Sequence, residues 1–184
     1  MTRLTGILFI LIATAFILQH EWYLKNPRWK ADENVTKQLG ILGDSALLSL
    51  DVPVAAVLMY KEQIIGRGYN TVRRDNAAGG HAEINAISDA IKPIGLDSFM
   101  RMDRDKLVLI TTWEPCYMCQ GAIVEYNIRH VTALKTKSVR YWFNEWKKQE
   151  QYEWNKRAAT SDTLQEALFK KHPAYNLQKQ KGGF

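Results

Sequence analysis

Residues 107–119 read LVLITTWEPCYMC, an apolar run that passes through a proline into a pair of cysteines. Leu107 to Thr112 is short, aliphatic and uncharged, which reads as a buried strand. Pro115 follows. It has no N–H donor, and none is wanted just before a helix. A helix is predicted from about Cys116 to Asn127. This strand, turn and helix form the unit from which the rest of the chain can be placed.

Upstream, Val54 to Tyr60 (VAAVLMY) is a second buried strand, Lys61-Glu62 a turn, and Gln63 to Tyr69 (QIIGRGY) a returning strand, giving a hairpin. Asn70 to Gly80 is a polar loop. His81 to Ile91 is helical, stopped by Pro93 and Gly95. Further upstream, the spacing of Val35, Leu39, Leu42, Ala46, Leu47 and Leu50 predicts another helix, weakened by Gly40 and Gly43. Downstream, Val131 to Leu134 is a fourth strand candidate. The tail from Val139 is aromatic and basic and reads as two helical pieces. The order β-β-α-β-α-β predicts an α/β sandwich around a mixed sheet. The chain holds no internal repeat and no low-complexity tract.

With 184 residues, 46% of them hydrophobic, the chain suits one domain with a real core. Its formal net charge of +6 is compatible with a nucleic-acid or phosphate-bearing partner, and equally with a solvated basic face. Cys116 and Cys119 are its only cysteines, too few for a disulfide framework.

Leu4 to Leu18 (LTGILFILIATAFIL) carries no charge. As a helix it spans about 22 Å, short of the ~30 Å hydrocarbon core. Three readings compete. Arg3 and Ala13-Thr14-Ala15 fit a cleaved export signal. An uncleaved membrane anchor would use Trp22 and Tyr23 at the interface. The third reading is a buried N-terminal helix. Lys25, Arg28 and Lys30 outweigh Arg3, and thiolate ligands favour a reducing compartment, so a cytoplasm-facing anchor is the preferred expectation. Residues 1–24 are then anchor or signal, and residues 25–184 the functional domain with its C-terminal extension.

Two segments carry chemistry: Gly80-His81-Ala82-Glu83-Ile84-Asn85-Ala86 and Glu114-Pro115-Cys116-Tyr117-Met118-Cys119. A catalytic zinc takes three protein ligands and keeps a fourth position open. His81, Cys116 and Cys119 supply one imidazole and two thiolates. Cys116 and Cys119 fit one helical turn, where the helix N-terminus stabilises thiolates. Glu83, two residues past His81, does not share its direction and is free to work as a general base beside the metal. A closed structural site would need a fourth ligand; His20, His130 and His172 are the other histidines, and none flanks the two segments. The combined pattern H-x-E…P-C-x-x-C is the signature of zinc base deaminases.

On these residues the chain resembles the cytidine deaminase superfamily, in the branch of tRNA adenosine deaminases, guanine deaminases and fungal-type cytosine deaminases. The resemblance runs from about Asp51 to Leu134 through DVPVAAVLMY, IIGRGYN, HAEINAI and TTWEPCYMCQGAIVEYNIRHV. It implies a three-layer α/β/α sandwich with a mixed five-stranded sheet. It also implies one Zn2+ on His81, Cys116 and Cys119, with Glu83 as proton shuttle. Asn70, Ala82, Glu114 and Pro115 are the substrate contacts it suggests, and a homodimer the assembly.

The chain departs from the pattern at Ala77-Ala78-Gly79-Gly80, where many relatives have Asp-Pro-Thr-Ala. It is longer between His81 and Cys116, with the extra length at Leu96 to Asp105. It matches no branch from Tyr141 onward. Tyr141, Trp142, Phe143, Trp146, Tyr152 and Trp154 read either as core packing or as a lid over a base. Lys170, Lys171, Lys179 and Lys181 read as phosphate contacts or as a solvated tail. The expected function is hydrolytic deamination of adenosine in tRNA, or of a free base or nucleoside. The contrasting expectation is a non-catalytic zinc module binding RNA or a partner, against which an intact Glu83 speaks.

Overall fold

The hairpin forms where the spacing places it: β1 is Ala55–Tyr60 and β2 is Gln63–Tyr69, paired antiparallel. Lys61 and Glu62 join them with positive φ of 48° and 66°. That left-handed pair matches the twist of the strands it connects. In the computed structural model, residues 3–25, 31–156 and 163–171 are described. β3 is Leu107–Thr111, antiparallel to β1, and β4 is His130–Ala133, parallel to β3. The sheet order is β2-β1-β3-β4.

Alternation along the strands sorts the core into two layers. Ala55 and Val57 of β1, with Val108 and Ile110 of β3, meet Val35 and Leu39 of helix α2 (Glu33–Leu48). Ala56, Leu58, Leu107 and Leu109 point the other way. They meet Ala82, Ala86, Ile87 and Ala90 of α3 (Ala82–Ile91) and Ile123 of α5 (Tyr117–Glu125). Each large aliphatic side chain so buried contributes about 1.5–3 kcal/mol. The result is the expected three-layer α/β/α arrangement. Asp32 caps α2, its side chain accepting from the Val35 N–H at 2.7 Å.

The packing of α3 on β2 depends on two glycines. A Cβ at Gly66 would strike Ala86 and Ala90, and one at Gly68 would strike the backbone of Ala82, Asn85 and Ala86. Small residues at 82, 86 and 90 on the helix, and glycine at 66 and 68 on the strand, let the two backbones approach closely.

Several expectations change. The described residues hold four strands, not five. After β4 the chain runs through Leu134 to Lys137, and Ser138 caps α6 (Val139–Asn155), accepting from the Tyr141 N–H at 3.2 Å. Val139–Asn155 is too polar, and lacks the period-2 alternation, for another strand. The extra length before β3 folds as α4 (Leu96–Met100) and a 3-10 turn at Arg104–Lys106. Phe99 of α4 is fully buried.

The N-terminal apolar segment lies in helix α1 (Arg3–Lys25), and Ile7 to Ile12 and Phe16 to Leu18 are exposed. Among the described residues no helix is long and apolar enough to cross a membrane, so the anchor reading of residues 4–18 has no support. Its uncharged run is too short for the hydrocarbon core, as the ~22 Å length implied.

The chain divides into two units, Met1–Lys137 and Ser138–Phe184. In the second, α6 has no buried residue; Phe143 stacks on Trp146 and Tyr141 meets Trp142 edge-on. Helix α7 is Thr163–Lys171 and ends in Lys170 and Lys171. The linker at 26–30, the side chains of Trp22 and Tyr23, His172, Lys179 and Lys181 lie outside the described residues.

Candidate metal centre

Two helix starts converge on one point. His81 is the residue just before α3 and Cys116 the residue just before α5; neither side chain caps its helix, so both ring and thiol are free to face the site. Cys119 sits in the first turn of α5 and is buried. His81 Nδ1 lies 3.6 Å from Cys116 Sγ and 3.5 Å from Cys119 Sγ, and the sulfurs are 3.7 Å apart. A tetrahedral zinc with Zn–S near 2.3 Å and Zn–N near 2.05 Å requires about 3.8 Å between sulfurs and about 3.6 Å from sulfur to nitrogen. The three donors therefore stand at zinc spacing. Among the described residues they are the group able to hold a metal.

Metal-free, the two thiols share a proton unequally. The hydrogen bond with Cys119 is the main cause that brings Cys116 down to about 5. The same bond, then burial, then the neighbouring Glu83 carboxyl push the Cys119 thiol up.

Glu83, in the first turn of α3, is 4% exposed. One carboxyl oxygen lies 3.3 Å from Cys119 Sγ, and the other accepts from the Thr111 hydroxyl at 3.3 Å. Ala82 beside it is fully buried against the sheet.

A loop from Asn70 to Gly80 joins β2 to α3. Asn70, 9% exposed, begins it, its N–H donating to Val54 O at 3.0 Å. The loop closes where Thr71 N–H donates to Gly80 O at 2.7 Å, so tightly that a Cβ at Gly80 would strike Thr71. That approach accounts for glycine rather than alanine at 80. Asn85 of α3 donates to Tyr69 O at 2.8 Å and Thr71 Oγ1 at 3.1 Å. Asp51 accepts from Arg73 N–H at 2.7 Å, Arg74 N–H at 3.2 Å and the Ser49 hydroxyl at 2.7 Å.

The segment before Cys116 is held from its own side. Glu114 N–H donates to Lys135 O at 2.8 Å, and its carboxylate accepts from Lys137 N–H at 2.6 Å. The Lys137 ammonium donates to Glu114 O and lies 4.8 Å from the Trp113 ring centroid. Pro115 O accepts from the Gln120 side chain at 3.1 Å.

Sequence reasoning singled out His81, Glu83, Cys116 and Cys119, and the structure gathers all four. It overlooked Thr111, Asp51 and Asn85. The available signal for Thr111 was a hydroxyl at the end of a strand that is buried throughout, where a polar group must find a partner. Asp51 and Asn85 gave none, because the loop groups they hold lie 14 to 23 positions away in sequence.

Residues 32–135 match the cytidine and deoxycytidylate deaminase zinc-binding region. The chain belongs to this family, and its cofactor is zinc. It is 36% identical over 81 residues to a tRNA-specific adenosine deaminase of Buchnera aphidicola, covering 44% of this chain and 50% of that protein. It is 35% identical over 83 residues to tRNA-specific adenosine deaminase 2 of Xenopus laevis, covering 45% and 47%. The chain thus spans about half the length of these curated relatives. A solved structure from work on A-to-I editing by tRNA:A34 deaminases at the wobble position of transfer RNA is 30% identical, with a TM-score of 0.50 over 55% of this chain and 75% of that one. Guanine deaminase from Bacillus subtilis shares the fold, at a TM-score of 0.56 and 23% identity, covering 84% of this chain and 96% of that one.

Proposed function

We propose that this chain is a zinc-dependent hydrolytic deaminase whose substrate is adenosine in tRNA. The observation that carries the reaction class is the set of three donors at tetrahedral zinc spacing with the buried Glu83 carboxyl beside them and off the metal. His81, Cys116 and Cys119 would hold the ion. Zinc held there would supply Lewis-acid polarisation and bring the pKa of water to about 7. Glu83 takes the proton that water gives up as its oxygen attacks the ring carbon carrying the exocyclic amine. Glu83 then returns that proton to the departing nitrogen, which leaves as ammonia, while the second proton of water ends on the neighbouring ring nitrogen and its oxygen becomes the carbonyl.

Asn70 and the backbone at Ala82, Glu114 and Pro115 are the groups for holding the base. The Glu114 carboxylate is engaged with Lys137, which leaves its backbone for that task. The tRNA reading is supported by the adenosine deaminase relatives and by the net charge of +6. Thiolate ligands favour a reducing compartment for the working enzyme. The resemblance further supports a homodimer, to be checked by light scattering.

The test is ammonia release by the full chain from a tRNA anticodon stem-loop, adenosine, guanine, cytosine and cytidine. Turnover of the stem-loop that disappears in Glu83→Gln with zinc retained is expected. Turnover of a free base alone would replace tRNA with that base. No turnover on any substrate by a zinc-loaded chain would leave a binding module.

A further inference from the structure

We propose that Thr111 is a positioning residue for Glu83: its hydroxyl fixes which carboxyl oxygen of Glu83 faces the metal centre. The inference rests on the deaminase reading above.

Thr111 ends β3 and is completely buried. Its Oγ1 stands 3.3 Å from one Glu83 carboxyl oxygen, 3.3 Å from Ala55 O and 3.1 Å from Trp113 O. Ala55 belongs to β1, Trp113 to the turn leading to Cys116, and Glu83 to α3. A single hydroxyl therefore lies where three pieces of the site meet. A threonine hydroxyl has one hydrogen to give, and the two carbonyls offer none. An ionised Glu83 is the acceptor of the three that carries charge, and a charge-assisted hydrogen bond is the stronger one.

Among the described residues, the other hydrogen-bond contact of the Glu83 carboxyl is the Cys119 thiol, 3.3 Å from its second oxygen. A thiolate ligand of zinc has no hydrogen to donate. Once Cys119 is a ligand, that partner is lost and the Thr111 hydroxyl is the donor that stays. It holds one oxygen away from the metal and leaves the other facing it. A carboxylate fixed through one oxygen is preorganised; one held through neither must be reoriented in each turnover.

Thr111→Val keeps the shape and removes the hydroxyl. With zinc stoichiometry and melting temperature near wild type, kcat is expected to fall roughly 10- to 100-fold with KM changed less than about twofold, as for loss of a hydrogen bond to a charged group. A crystal structure of the zinc-loaded variant is expected to show the Glu83 carboxyl turned from its wild-type orientation, a readout independent of turnover. Thr111→Ser and Thr111→Ala both lose the methyl and differ in the hydroxyl; serine is expected to restore kcat and alanine not. This pair decides the matter if valine fails to fold. Wild-type kcat in Thr111→Val or Thr111→Ala, or an unmoved Glu83, overturns the proposal. An inactive wild type with full zinc instead overturns the deaminase reading.

Discussion

Cys116 and Cys119 are three positions apart and chemically unlike. Cys116 titrates at about 5, because its neighbour's hydrogen bond favours the thiolate, while Cys119 is pushed up by that bond and by burial. At pH 8 the first is already a thiolate and the second still holds its proton. Zinc must displace that proton, so binding is expected to release about one proton per ion from the cysteines. Calorimetry in buffers of different ionisation enthalpy measures it. Zinc affinity should rise about tenfold per pH unit above neutrality, and fall more steeply below pH ~5, where Cys116 also protonates. Asp51 offers a second residue-scale prediction. Burial pushes its carboxyl up, but Arg73 N–H, the Ser49 hydroxyl and Arg74 N–H together hold it below the ordinary value. Its hold on the loop is therefore complete above pH ~4 and lost as pH falls through the lowered value. Asp51→Asn puts an amide donor against a backbone donor; it should raise KM with zinc content unchanged, read by steady-state kinetics and metal analysis.

Among the elements, α3 carries His81 and Glu83 into place and rests on Gly66 and Gly68 of β2. Gly68→Ala forces the helix off the strand. A loss of roughly 1–3 kcal/mol in urea unfolding is expected, as for overpacking elsewhere, together with weaker zinc retention. The boundaries of these elements were legible wherever chemistry punctuates the chain. Pro115 announced α5, Pro93 and Gly95 ended α3, and burial on both faces followed from the short apolar runs of β1 and β3. The ligands His81, Cys116 and Cys119 were legible because their types and spacing are those of zinc. The short α4 was not, since five residues give no period to read. The four strands were legible as apolar runs, and the tail from Val139 as helix; the fifth strand, carried over from the resemblance, is the part that failed. Thr111 looked like strand filler because its importance lies in a contact 28 positions away.

Across the whole molecule, net charge bears on the choice between substrates. A tRNA held by even three phosphate contacts would show KM rising about 40-fold between 50 and 200 mM salt, whereas a free base would show little change. The salt dependence of kcat/KM on an anticodon stem-loop measures this. Unit Met1–Lys137 contains all four residues of the metal centre, while Ser138–Phe184 contains α6 with its exposed Phe143, Trp146, Tyr152 and Trp154.

The loop from Asn70 to Gly80 is hung from Asp51 and Asn85 and sealed by the Thr71–Gly80 contact, while the zinc ligands stand on two helix starts. Loop and metal centre are thus joined through α3, which carries Asn85 as well as His81 and Glu83. Gly79 O accepts the His81 N–H at 2.8 Å, so a library randomised at residues 76–79 is expected to vary in zinc retention as well as in any substrate preference, and it has to be sorted for both.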